Sequence, residues 1–149
     1  MIFLLCSVIV FNLIAYFMKK KLTKVEIYAT SFFAFSLAVV TDIILDLKFN
    51  LYGCFKEGLD LLGFVPLAGL YPAINIIFLN LYPFNKRVIV KLLYYGAWSI
   101  FALVYEWAAV KSGFFYHNGW NYWYSAPVNP LLYYLLYLNL KFVRKLNSN

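Results

Sequence analysis

Five apolar runs, each bounded by polar or charged residues, constrain this chain more than any other feature. They cover residues 2–18, 25–45, 61–82, 88–110 and 122–140. A bilayer core about 30 Å thick needs roughly 20 apolar residues in a helix. Backbone groups find no water there and must be satisfied within the segment. The runs are continuous rather than alternating, which disfavours a membrane β-barrel. The expected fold is all-α, a polytopic transmembrane helical bundle of about five spans. Length fits one integral membrane domain over residues 1–149. Composition agrees: 64% hydrophobic and 13% charged, against about 45–50% and 25% in soluble domains. The first run precedes its lysines, the reverse of a secretory signal, so a retained helix is expected. Pro127 and Pro130 interrupt the start of the fifth run.

The net charge of +7 is unevenly placed. Lys19, Lys20, Lys21, Lys24, Lys86, Arg87, Lys91, Lys141, Arg144 and Lys145 fall on one side of a five-span arrangement. Only Lys48, Lys56 and Lys111 fall on the other. The positive-inside rule puts the larger group in the cytoplasm, so the N-terminus is expected outside and the C-terminus inside. The basic charge then serves orientation and contact with anionic lipid headgroups rather than nucleic acid. The expected partners are membrane lipids, with a protein partner or a second copy open.

The outer side would hold two loops, LKFNLYGCFKEGLDLL and residues 111–125. The second, with the end of the helix before it, contains Trp107, His117, Trp120 and Trp123. Trp and Tyr favour the interface, having one apolar edge and one that bonds to water. That accounts for Tyr122, Trp123 and Tyr124 as an interfacial belt.

Two acids lie inside apolar runs. Asp42 sits about 22 Å along its helix from Ile27, and Glu106 about 21 Å from Leu92. Both are expected at similar depth in the outer leaflet, where a carboxylate is costly unless paired, protonated or near water. Ala38, Ala34 and Ser31 share the Asp42 face; Ala102, Ser99 and Gly96 share that of Glu106. Small residues permit close helix approach in lipid. Both stripes are therefore expected to face the bundle interior. The third run adds Gly69, Ala73 and Asn80 on one face, with Asn75 off it, and Pro66 and Pro72 should bend it. The candidate cluster is Asp42, Glu106, Trp107, Lys111, His117, Trp120 and Asn121. In the plainer alternative Glu106 pairs with Lys111 or His117, while Asp42 lies near Asp46 and Lys48, and the acids only lock helices.

Other chemistry is thinly supported. One histidine, with no Cys-x-x-Cys, provides no zinc spacing, and neither a metal nor a cofactor is expected. A Ser/His/acid set would need Ser112 or Ser125 beside His117, and neither serine has a nucleophile-elbow surround. His117 could respond to outside pH. Cys6 and Cys54 fall on the same side; a disulfide is allowed, and two thiols are the simpler reading. A shift of 64 residues aligns Asp42 with Glu106, Tyr52 with Tyr116, Pro66 with Pro130 and Asn75 with Asn139. That is a faint parallel repeat of spans 2–3 and 4–5, of a kind found in transporters.

The segment Glu106-Trp107, Lys111-Ser112-Gly113, Tyr116-His117-Asn118-Gly119-Trp120-Asn121, Trp123-Tyr124-Ser125 resembles a family of uncharacterised small multi-pass membrane proteins from spore-forming Gram-positive bacteria. Their pattern is Glu-Trp, Lys-x-Gly, aromatic-His-x-Gly-Trp-Asn, then Trp-x-Ser. The likeness extends loosely to Asp42 and LYPAINIIFLNLYP; APVNP is richer in proline than that pattern. The resemblance implies a bacterial plasma-membrane protein and names no activity. The order of acid, aromatic loop and proline-bearing helix faintly resembles small membrane-bound carotenoid cyclases, whose paired acidic motif is missing here. The first expectation is a non-enzymatic envelope, sporulation-associated or complex component. The alternative is a proton-coupled small-solute transporter, or an intramembrane acid catalyst acting on a lipid or isoprenoid, using Asp42 and Glu106.

Overall fold

The structure is a computed structural model that describes residues 2–54 and 63–147. Part of the loop LKFNLYGCFKEGLDLL, with Lys56 in it, and the first residues of the expected third span lie outside the described residues. The described chain is mostly helical: α1 (Ile2–Phe17), α2 (Lys24–Asp42), α3 (Tyr71–Leu81), α4 (Val88–Lys111) and α5 (Tyr122–Asn147). Strands β1 (Tyr52–Cys54) and β2 (Phe115–His117) pair antiparallel, with Tyr52 opposite His117. Two π-helical turns extend the helices, Ile43–Lys48 after α2 and Pro66–Leu70 before α3.

Local chemistry explains the boundaries. Thr23 and Glu26 form a reciprocal capping box at the start of α2, with bonds of 2.7 and 3.2 Å, satisfying donors that a helix start leaves open. Asn50, with φ of 49°, adopts the left-handed conformation that asparagine tolerates. Gly113, with φ of 75°, follows the end of α4 in the same conformation. Pro72 has no N–H to return to the preceding turn, and the π-helical turn adjoins it. The prolines of α5 do not interrupt it: the helix starts at Tyr122 and contains both. Asn121 Oδ1 accepts from the amides of Trp123 (3.0 Å) and Tyr124 (3.3 Å), so a side-chain cap starts the helix where the prolines alone would not.

The helices run alternately up and down. α1 lies along α3: Asn12 Nδ2 donates to the Gly69 carbonyl at 2.8 Å, and Ala15 packs with Ala73 and Ile77. A Cβ on Gly69 would meet Val8 at 2.9 Å, so glycine permits this approach. α2 packs on α3 and α5, and α4 on α5. Between α3, α4 and α5 the Phe78 ring is fully buried, with Tyr133, Tyr94 and Trp98 centred 4.7, 5.4 and 5.6 Å away.

One end of the bundle collects basic residues. Asn80 bonds Lys21 N at 2.6 Å and the Lys19 carbonyl at 3.0 Å. Arg144 Nε donates to Glu26 Oε1 at 2.7 Å. The β1–β2 pair occupies the opposite end, bringing the segments that follow α2 and α4 together.

Two helices, Lys24–Lys48 and Val88–Lys111, are long and apolar enough to cross a membrane. Their most apolar windows are only 11% and 6% buried. α1 and the helix Pro66–Leu81 are apolar but shorter. At 16 residues, α1 extends about 24 Å.

Candidate functional site

Asp42 ends α2 and Glu106 lies one turn before the end of α4. Both line one cavity of about 250 Å³. Ala34 and Ala38 on α2, and Ala102 on α4, line it too. The small residues thus leave space here rather than closing helix on helix. By contrast, Gly69 in the π-helical turn before α3 and Ala73 on α3 meet α1. Both π-helical turns reach the cavity, through Leu45 and through Pro66 and Leu70. Such turns are frequent at functional sites.

The acid-bearing end is a connected hydrogen-bond cluster. Trp120 Nε1 donates to Ser125 Oγ at 2.8 Å, and Ser125 Oγ donates to Glu106 Oε1 at 2.9 Å. His117 Nε2 donates to the same oxygen at 2.9 Å. On the other side Tyr52 OH donates to Asp42 Oδ1 at 2.9 Å. Burial first, and the Asp42 carboxyl second, push the Tyr52 phenol well above its usual range, so it is a fixed neutral donor. The Tyr52 ring joins the halves, edge-on to Trp120 at 5.8 Å. Strand pairing sets that contact: the Leu51 carbonyl accepts from Asn118 N and Trp120 N at 2.7 and 3.0 Å.

The sequence candidates therefore separate. Asp42, Glu106 and Trp120 line the cavity, and His117 contacts Glu106 from beside it. Trp107 is 54% exposed on the outer face of α4 and does not line it. Lys111 is exposed and makes no ion pair with Glu106. Asn121 caps α5. Glu106 thus takes His117, and Asp42 takes Tyr52 rather than Lys48.

Three further residues belong to the site. Ser125, considered only as a nucleophile, bridges Trp120 to Glu106. Serine and histidine both meet the carboxylate, so histidine is not placed between serine and acid as a general base requires. Tyr52 carries no local sequence signal, because its contact with Asp42 depends on the path of the loop. Asn75 sits in an apolar run, where a polar side chain signals a helix contact. Its Nδ2 donates to Thr30 Oγ1 at 3.1 Å, and that hydroxyl donates to the Glu26 carbonyl. The orientation of the amide is thereby set: Asn75 Oδ1, fully buried at the cavity wall, has no partner.

Among the described residues no three His, Cys, Asp or Glu side chains gather to hold a metal ion. Cys6 and Cys54 are not joined in a disulfide. Comparison with family models, curated proteins and solved structures finds no match to this chain.

Proposed function

We propose that this chain is a five-span protein of a bacterial plasma membrane that binds a small amphipathic molecule within its bundle. It acts by binding, not by catalysis. The single observation that carries the reading is the shared cavity: two acids from different helices face one largely apolar space. Ligand sites have this character, with apolar walls and a few convergent polar groups.

The membrane setting is supported by outward-facing Leu92, Leu93, Ile100 and Val104 on α4 and Phe32 and Val40 on α2, all exposed. Exposed apolar area of this extent needs a lipid or protein cover. The basic end then lies in the cytoplasm and meets anionic headgroups, and exposed Trp107 and Trp123 form an interfacial belt. Helix–strand–helix occurs twice, in α2–β1–α3 and α4–β2–α5, in keeping with an internal repeat.

Proton-coupled transport is the second reading. It is favoured by His117, whose 15% exposed side chain links Glu106 towards the outer surface.

The test has two parts. Single cysteines at Lys20 and at Ser112, in a background without Cys6 and Cys54, are labelled in intact cells with a membrane-impermeant maleimide. Labelling at position 112 alone is expected, and labelling at both or only at 20 defeats the orientation. The purified chain in lipid nanodiscs is then titrated with the neutral apolar fluorophore N-phenyl-1-naphthylamine. Saturable binding lost in Ala102→Phe supports the cavity; signal equal to that of empty nanodiscs rejects it.

A further inference from the structure

From the distribution of donors and acceptors around the cavity, we infer that its ligand is an organic amine with an apolar body and a second hydrogen-bond donor at its far end. The inference rests on the cavity reading above and specifies what that site takes.

Charge is the first ground. Asp42 and Glu106 line the cavity, and among the described residues no Lys or Arg does. Elsewhere the fold neutralises its buried acid: Glu26, 8% exposed, is paired with Arg144 at 2.7 Å. Asp42 has no ion pair among the described residues; its hydrogen-bond partner is the neutral Tyr52 phenol. An intramembrane carboxylate is costly without a cationic partner, and a ligand ammonium supplies one. Tyr52, Phe115 and Trp120 line the same end, with Tyr52 centred 5.2 and 5.8 Å from the other two rings. Aromatic faces attract a desolvated cation.

The second ground is independent and lies at the other end. Asn75 Oδ1 is a fully buried acceptor at the cavity wall with no donor. A buried acceptor left unsatisfied carries the full penalty of losing water, and a ligand N–H or O–H removes it. Asn75 contacts Thr30, twelve positions before Asp42 on α2, so the two polar ends lie about 18 Å apart along the helix direction. The wall between them is apolar at Ala34, Leu37, Ala38, Leu132 and Leu136, broken by Asn129, whose buried Nδ2 is a donor without an acceptor. The ligand is therefore elongated, with an ammonium towards Asp42 and Glu106 and a hydroxyl or second amine towards Asn75.

The experiment is displacement of N-phenyl-1-naphthylamine from the full chain in phosphatidylcholine nanodiscs, with empty nanodiscs correcting for partition of each competitor. The competitors are 8-amino-1-octanol, octylamine, 1-octanol and octanoate. Octylamine is expected to displace the probe about tenfold better than 1-octanol, as one charge-assisted hydrogen bond gives, and octanoate worst of all. Asp42→Asn, with Glu106→Gln as the second variant should the first misfold, is expected to abolish the amine's advantage while 1-octanol still competes. The amino alcohol is expected to exceed octylamine in the native chain and not in Asn75→Leu. Equal competition by octylamine and 1-octanol overturns the amine and leaves the cavity standing. An amino alcohol no better than octylamine overturns the far-end donor. Absence of saturable probe binding removes the cavity itself, a failure of the earlier reading.

Discussion

Glu106 Oε1 holds both His117 Nε2 and Ser125 Oγ, each at 2.9 Å. One carboxylate oxygen thus fastens β2 and the first turn of α5 to the end of α4. Ser125 is nearly fully buried and also accepts from the Trp120 indole. Ser125→Ala leaves that donor without its partner and removes one hydrogen bond donated to the carboxylate. The expected loss is about 1–3 kcal/mol. It is read as a lower melting temperature in nanodiscs, with a red-shifted tryptophan emission; an unchanged melting temperature contradicts the bridge.

Two alanines at superficially similar helix positions should respond oppositely to enlargement. Ala102 faces the cavity, so Ala102→Leu fills empty space and should raise stability by about 0.5–2 kcal/mol. Ala73 is 1% exposed and packed with Ala15 and Ile77. Ala73→Leu should lower stability by about 1–3 kcal/mol through overpacking. Parallel thermal melts decide: two losses of equal size would mean the space at Ala102 is not there.

These alanines also mark what was legible in the sequence. The four-residue spacing that carries Ala34 and Ala38 to Asp42, and Ala102 to Glu106, reads directly as a helix face, and the apolar runs read as helices. Spacing reports which face is shared and not how far the opposite face stands away, so it left open whether the helices close on one another or flank a cavity. Contacts between loops were harder still. Tyr52–Cys54 and Phe115–His117 are too short for a period of two to register, yet their pairing places Tyr52 on Asp42 and Trp120 over Tyr52. The prolines of α5 misled because a breaker is visible locally, while the Asn121 cap acts only once the chain has turned.

Asn75→Leu should raise the stability of the empty protein. The substitution removes the unsatisfied Oδ1 and replaces an amide by an apolar side chain of similar size. Thr30 loses one accepted bond and keeps its own donation to the Glu26 carbonyl. A gain of about 1 kcal/mol is expected, since a buried acceptor without a partner is costly. A clear loss in the melt would mean that the bond to Thr30 outweighs the orphaned oxygen.

The Glu26–Arg144 pair ties the start of α2 to the end of α5, 118 positions along the chain. Glu26 also completes the capping box. Glu26→Ala should therefore cost more than Arg144→Ala, because only the former removes the cap. Their double-mutant cycle should give a coupling of about 0.5–3 kcal/mol. Strictly additive losses would show that the two side chains act separately.

The rings around Phe78 bear on how the proposed site would meet a guest. α3 and α4 face one another chiefly through Phe78, Tyr94 and Trp98, stacked and edge-on, and the Tyr94 hydroxyl anchors to the Phe78 carbonyl at 2.7 Å. These rings do not line the chamber, but they back Tyr133, which does, so that part of its wall is ordered during folding. On the binding function proposed above, selectivity would follow a fixed outline: molecules that fit would differ mainly in how fast they leave, and oversized ones would be turned away at the threshold.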